Sequence, residues 1–65
     1  MNSSDYVYDQ IYKGSLKEGV HEHIAADQAT QGINDFNKNK YTGRPSKLIM
    51  HRISIAKAFE KKRVK

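Results

Sequence analysis

No cysteine occurs in this chain of 65 residues, and this absence restricts how the chain can fold more than any other feature. A chain of this length buries a small share of its surface, so a core alone gives marginal stability. Without cysteine, neither a disulfide framework nor a cysteine-based zinc site can add to that core. The sequence therefore predicts one small domain over residues 1–65, either helical or stabilised by a partner, and a second copy is the commonest such partner.

Apolar residues recur at helical spacing in three segments, which glycines and one proline separate. This pattern predicts an all-α fold of two or three short helices, over about residues 4–18, 20–37 and 45–62. Gly19 is predicted to stop the first helix, and Pro45 suits the first turn of the third. A strand is the rival at the start of the first segment, which is rich in tyrosine and valine.

The second segment carries a stripe of small and apolar residues. Ala25, Ala29, Ile33 and Phe36 follow one another at intervals of four, four and three residues, with Gly32 beside them. Small residues let another helix approach closely, so we expect two chains to share this stripe in a helical homodimer.

The third segment has the clearest amphipathic pattern. Its apolar residues fall within about half of a helical wheel: Leu48, Ile49, Ile53, Ile55, Ala56 and Phe59. Arg52 lies inside this arc, and its stem is expected to carry the guanidinium out to solvent. Polar residues occupy the opposite side at helical spacing, among them Lys47, His51, Ser54, Lys57 and Lys61.

Charge is divided unevenly between the two halves of the chain. Residues 1–36 hold two lysines and six acidic residues, a net charge of −4, whereas residues 37–65 hold ten basic residues and one acidic residue, a net charge of +9. A half-chain with this charge is typical of proteins that bind a polyanion. We expect that the tail over residues 60–65 can be disordered.

Residues 41–47, YTGRPSK, contain the Gly-Arg-Pro of a minor-groove AT-hook. Thr42 stands where the hook has its first arginine, so half of that recognition chemistry is missing. We interpret the stretch as the start of a helix, where Arg44 and Lys47 can also hold phosphate.

The predicted nucleic-acid contacts all lie in the basic half: Lys38, Lys40, Arg44, Lys47, His51, Lys57, Lys61, Lys62 and Arg63. This set lacks the mixture of Asn, Gln and Arg that reads base edges. We therefore expect phosphate contact with limited sequence specificity, and DNA is favoured over RNA.

No catalytic residue, metal ligand or cofactor is predicted. His21 and His23 would point away from each other on a helix, unlike the paired histidines of zinc proteases. The sequence has no supported Ser-His-Asp set and no Gly-rich phosphate loop, and the chain has little room for a pocket that excludes water. We therefore expect a protein that is not an enzyme.

Neither a membrane contact nor export is expected. No apolar run approaches the roughly 20 residues that span a bilayer. The first ten residues lack the charged and apolar regions of a signal peptide. The prediction is a cytoplasmic protein.

Together these features predict a small non-enzymatic nucleic-acid-binding accessory or regulatory protein. The alternative is a helical interaction module, an adaptor or inhibitor, that docks its basic amphipathic helix on an acidic protein partner. A third interpretation is a factor whose basic tail becomes ordered on RNA. Tyr6, Tyr8 and Tyr12 in the acidic half are expected to pack in the core or to contact a protein partner.

Overall fold

A computed structural model describes residues 3–38 and 45–64 of the chain. These residues form three α-helices: α1 (Ser3–Lys17), α2 (Glu22–Asn37) and α3 (Pro45–Val64). The described residues contain no strand, so the predicted all-α fold with short helices is confirmed. None of these three helices is long and apolar enough to cross a membrane.

Hydrogen bonds between helix ends show how the helices are arranged. At the start of α1, the Ser4 hydroxyl donates to Oδ1 of Asn37 at the end of α2, at 2.8 Å. The backbone N–H of His21, just before α2, donates to Oε1 of Glu60 near the end of α3, also at 2.8 Å. α2 therefore runs antiparallel to both other helices, and each helix packs against the other two.

The turn after α1 ends the helix at Lys17, one residue before the predicted end. Gly19 has a φ of 87°, and its N–H donates to the carbonyl of Leu16 at 3.0 Å. The N–H of Val20 donates to the carbonyl of Ser15 at 3.0 Å. These two bonds form a Schellman motif, in which the left-handed position favours glycine. The prediction that Gly19 stops α1 is confirmed.

α2 begins at Glu22, two residues later than predicted, because Val20 and His21 belong to the turn between α1 and α2. Val20 is 4% exposed and packs against buried alanines of α2 and α3. His21 is the N-cap, with φ −60° and ψ 144°, and its Nδ1 accepts the N–H of His23 at 3.1 Å. α3 begins at Pro45 as expected and continues to Val64, two residues beyond its predicted end.

The core lies where the three helices meet. One buried cluster combines Val7 and Ile11 of α1 with Ala29 of α2 and Leu48 of α3. The predicted small-residue stripe belongs to this interior: Ala25 and Ala29 are buried, and Ile33 and Phe36 pack against the buried cluster. The stripe therefore packs against the chain's own helices. Association of two chains remains a prediction, and it would require another surface.

Gly32 marks the closest approach of α1 to α2. A Cβ placed on Gly32 would overlap the Cδ1 atom of Ile11. Ile11 is fully buried, so its side chain has no solvent-filled space into which it can move. The glycine thus allows the two backbones to pack at a distance that any other residue would increase.

Replacing Gly32 with alanine is expected to destabilise the fold by about 1–2 kcal/mol. Overpacking in a core costs about 1–3 kcal/mol and outweighs the gain of about 1 kcal/mol in helix propensity. The measurement is urea unfolding followed by circular dichroism. Shortening the opposing side chain in a Gly32→Ala/Ile11→Val variant should recover part of the loss.

Gly14 provides the matched control. A Cβ there would meet Cδ1 of Ile53 at 2.5 Å, but Ile53 is only half-buried and can shift. Gly14→Ala is therefore expected to leave stability unchanged or to raise it by at most about 1 kcal/mol. Equal destabilisation by the two substitutions would contradict this account of Gly32.

Candidate nucleic-acid interface

One side of α3 faces solvent along nearly the whole helix. The residues on this side, named here the basic face, are Lys47, His51, Ser54, Lys57 and Lys61, and all five are exposed. They recur every three or four residues, and at a rise of 1.5 Å per residue they span about 21 Å. Leu48 and Ala56 on the opposite side are buried, which fixes the orientation of the helix.

The basic face is cationic because few carboxylates lie near it. α3 contains six Lys or Arg residues and one acidic residue, a net charge of +5. Lys57 Nζ lies 3.3 Å from Oε1 of Glu18, with both side chains about half exposed. An exposed pair of this kind is worth at most about 1 kcal/mol, so phosphate can replace the carboxylate. Within the described residues, no carboxylate forms an ion pair with Lys47 or Lys61.

A shallow depression lies in the C-terminal half of the basic face. Ser54, Lys57, Ala58 and Lys61 line it, and its volume is about 260 Å³. The depression therefore combines one hydroxyl with two ammonium groups on a single helical surface. Hydroxyl and ammonium groups are the donors that proteins use to contact phosphate oxygens.

The other predicted contacts do not all join this face. Lys38 is exposed at the end of α2, while Lys40 and Arg44 lie outside the described residues. Lys62 and Arg63 are exposed but line a separate cleft between α2 and α3. The structure thus places three lysines and His51 together and puts Lys62 and Arg63 on another side of the helix.

Arg52 is held inside the fold instead of reaching solvent as the sequence predicted. Its Nη1 donates to Oε1 of the buried Gln28 at 3.0 Å, and its Nη2 forms an ion pair with Oδ2 of Asp35. The Arg52 and Asp35 side chains are 14% and 18% exposed. Since Gln31 also accepts from Nη1 at 3.4 Å, three polar side chains of α2 surround the guanidinium. Arg52 therefore joins α2 to α3 and is not part of the basic face.

Glu60 connects the end of α3 to the start of α2 through hydrogen bonds. Its Oε2 accepts a hydrogen bond from Nη2 of Arg63 at 2.8 Å, and its Oε1 accepts the backbone N–H of His21 at 2.8 Å. The Arg63 side chain, and next the His21 N–H, hold the pKa of the Glu60 carboxyl below its ordinary value. The same contact raises the pKa of Arg63. A carboxylate at a helix N-terminus also interacts favourably with the helix dipole.

Stability should therefore depend on the ionisation of Glu60. Because its pKa is lower in the folded chain, its contribution is complete above the unfolded pKa of about 4.3 and is lost as the pH falls through the folded pKa. A Glu60→Gln variant should melt at a lower temperature than wild type at pH 7. The two melting temperatures should converge as the pH falls through the folded pKa of Glu60, and a difference that does not shrink on acidification would contradict the assignment.

The two histidines at the start of α2 lie together, contrary to the prediction that they point apart. The rings of His21 and His23 stack with centroids 5.0 Å apart. The prediction was wrong because His21 precedes the helix as its N-cap and does not follow helical geometry. In the described part of the chain, no group of three or more His, Cys, Asp or Glu side chains could hold a metal ion.

The tyrosines of the acidic half divide between core and surface. Tyr8 and Tyr12 stack with ring centroids 6.1 Å apart and pack against the buried cluster, as expected for core residues. Tyr6 is 48% exposed on α1. Tyr41 lies outside the described residues.

No protein-family model matches this chain, and no curated protein or solved structure is significantly similar to it. The basic face must therefore be interpreted from its own chemistry.

Proposed function

We propose that this protein is a small non-enzymatic nucleic-acid-binding accessory or regulatory protein. The observation that carries the proposal is the basic face, on which Lys47, Lys57 and Lys61 extend from a helix packed on its other side. Each ammonium group that meets a phosphate releases a counterion, and this release drives association.

The length and chemistry of the basic face favour contact along a sugar–phosphate backbone. A span of about 21 Å equals about six base-pair steps at 3.4 Å each. Base readout commonly uses Arg, Asn or Gln, and the only arginine in the middle of α3 is held against Asp35. We therefore propose binding with limited sequence specificity.

DNA is the favoured polymer. The major groove of B-DNA is about 12 Å wide and admits one side of a helix, whereas the major groove of A-form RNA is too narrow and deep for side chains to read. Lys38 at the end of α2, together with Lys40 and Arg44 in the following segment, is proposed to extend the contact beyond Lys47. Lys62 and Arg63 would then contribute mainly through long-range attraction.

The packing of α3 leaves the basic face as the surface through which the alternative, an interaction module, would dock. Leu48 and Ala56 are buried in the chain, so the apolar side of α3 is not free to lie in the groove of a partner. An acidic protein surface could still replace DNA on the basic face. Nuclease treatment of a lysate separates the two cases, because it removes co-purifying material only when nucleic acid mediates the contact.

Replacing Lys57 and Lys61 with alanine tests the proposal. Loss of two phosphate contacts should weaken binding to all duplex sequences about equally and should flatten the slope of log K against log salt concentration by about 2. Fluorescence anisotropy of labelled duplexes with different sequences measures both quantities. Loss of affinity for one sequence alone, or an unchanged slope, would contradict phosphate contact by this face.

A further inference from the structure

An open cleft lies between the first half of α2 and the last turns of α3, on a different side of α3 from the basic face. Its volume is about 630 Å³. Ile24 and Phe59 form its apolar floor, and Phe59 is 47% exposed. A partner that fills the cleft would remove these two apolar side chains from water.

The position of Phe59 is fixed by contacts of the neighbouring residue. The neighbouring Glu60 is fixed by the backbone N–H of His21 and by Arg63, so the backbone beside Phe59 is held at the start of α2. Phe59 lies in the arc that buries Leu48 and Ala56, but it faces the open cleft beside α2 and remains exposed. The side chain is thus presented to solvent on a fixed support.

Charges of opposite sign flank this apolar floor. Asp27 lies on the α2 side and Lys62 on the α3 side, and both are exposed. Arg63 also lines the cleft, but its charge is offset by the Glu60 carboxylate at 2.8 Å. The cleft is therefore close to neutral overall, and one side is acidic while the other is basic.

A patch of this kind is complementary to itself. A two-fold axis along the cleft brings the α2 side of one protomer against the α3 side of its partner. Such a dimer would bring Asp27 of each protomer towards the partner's Lys62 and the two phenylalanines towards the axis. A purely anionic ligand would attract Lys62 but repel Asp27, and a purely cationic ligand would do the reverse.

We propose that the cleft is the homodimer interface of this protein and that its occupant is a second copy of the chain. This surface replaces the small-residue stripe, which the core uses. The proposal does not rest on nucleic-acid binding, because the basic face remains exposed on both protomers.

Sedimentation velocity over a range of concentrations up to about 200 µM tests the dimer first. Wild type should show a reversible monomer–dimer equilibrium. Phe59→Ala should raise the dissociation constant of the dimer at least about tenfold, since a central aromatic residue carries much of an interface's affinity. Met50→Ala is the matched control, because Met50 is 69% exposed on α3 outside the cleft. A wild-type chain that stays monomeric, or a dimer that Phe59→Ala leaves intact, overturns the proposal.

A charge exchange tests the pairing itself. Asp27→Lys and Lys62→Glu should each weaken the dimer, because each places like charges opposite one another in both halves of the interface. Mixing the two variants should restore association as a heterodimer with two oppositely charged pairs. Circular dichroism confirms that each variant is folded. Failure of the mixture to associate more tightly than either variant alone would overturn the proposed pairing.

Discussion

Reversing two charges on the basic face, with Lys57→Glu and Lys61→Glu in one variant, is expected to lower duplex affinity at least about 100-fold at low salt. The variant loses two phosphate contacts and places two carboxylates where phosphates would lie. Both side chains are exposed, and Lys57 contributes only a half-exposed ion pair with Glu18, so the fold should survive. Fluorescence anisotropy with a labelled duplex measures the loss.

Lys13→Glu and Lys17→Glu in one variant provide the matched control. These two lysines have the same spacing of four residues and produce the same change in net charge, but they lie on α1. We expect a much smaller loss, set by the general decrease in positive charge. Equal losses in the two double variants would show that affinity follows net charge and not the basic face.

Removing the carboxylate that holds Arg52 is the second substitution with a large expected effect. Asp35→Ala should destabilise the fold by about 2–3 kcal/mol, because it leaves a largely buried guanidinium without its counter-charge. In a domain of this size, such a loss lowers the melting temperature by roughly 10 °C or more. Thermal unfolding followed by circular dichroism at pH 7 measures it.

Two comparisons identify the cause of that loss. Asp9→Ala removes an exposed ion pair with Lys13 and should cost less than about 0.5 kcal/mol. The double variant Asp35→Ala/Arg52→Met should be less destabilised than the sum of its single variants, since the buried charge is removed together with its partner. Additive effects would show that Asp35 and Arg52 do not stabilise each other.

The helices could be predicted from the sequence because their signals are local. The periodicity of apolar residues, the glycine at the αL position of the first turn and the proline at the start of α3 each act within a few residues. α2 starts two residues later than the apolar periodicity predicts, because Val20 has an apolar side chain but lies in the turn. Periodicity alone does not distinguish a buried turn residue from the first residue of a helix.

Contacts between helices could not be predicted in the same way. Residue spacing predicts the stripe of small residues on α2, but it does not show that the chain's own α1 covers the stripe. For Arg52, a signal was present: Gln28, Gln31 and Asp35 lie at helical spacing on α2 and form a polar row opposite it. Pairing that row with an arginine inside an apolar arc would have indicated the buried network.

The sequence predicts which basic residues share a side of α3, but it does not predict the surface that they form with the other helices. Helical spacing grouped Lys47, Lys57 and Lys61 correctly on one exposed side of α3. Basic composition also predicts contacts at Lys62 and Arg63, but successive residues on a helix point in different directions. The cleft beside them requires two helices, so no single segment of the sequence could reveal it.

The most direct test of the central claim, that this protein binds nucleic acid through its phosphates, is an anisotropy titration of the unmodified protein against one labelled 25-mer duplex and its RNA counterpart at several salt concentrations. We expect sub-micromolar binding at low salt, a slope of log K against log salt of about −3 to −5, and tighter binding to DNA than to RNA. Tighter binding to RNA would keep phosphate contact and reverse the choice of polymer. Absence of binding at low salt, or binding that salt does not weaken, would contradict the claim.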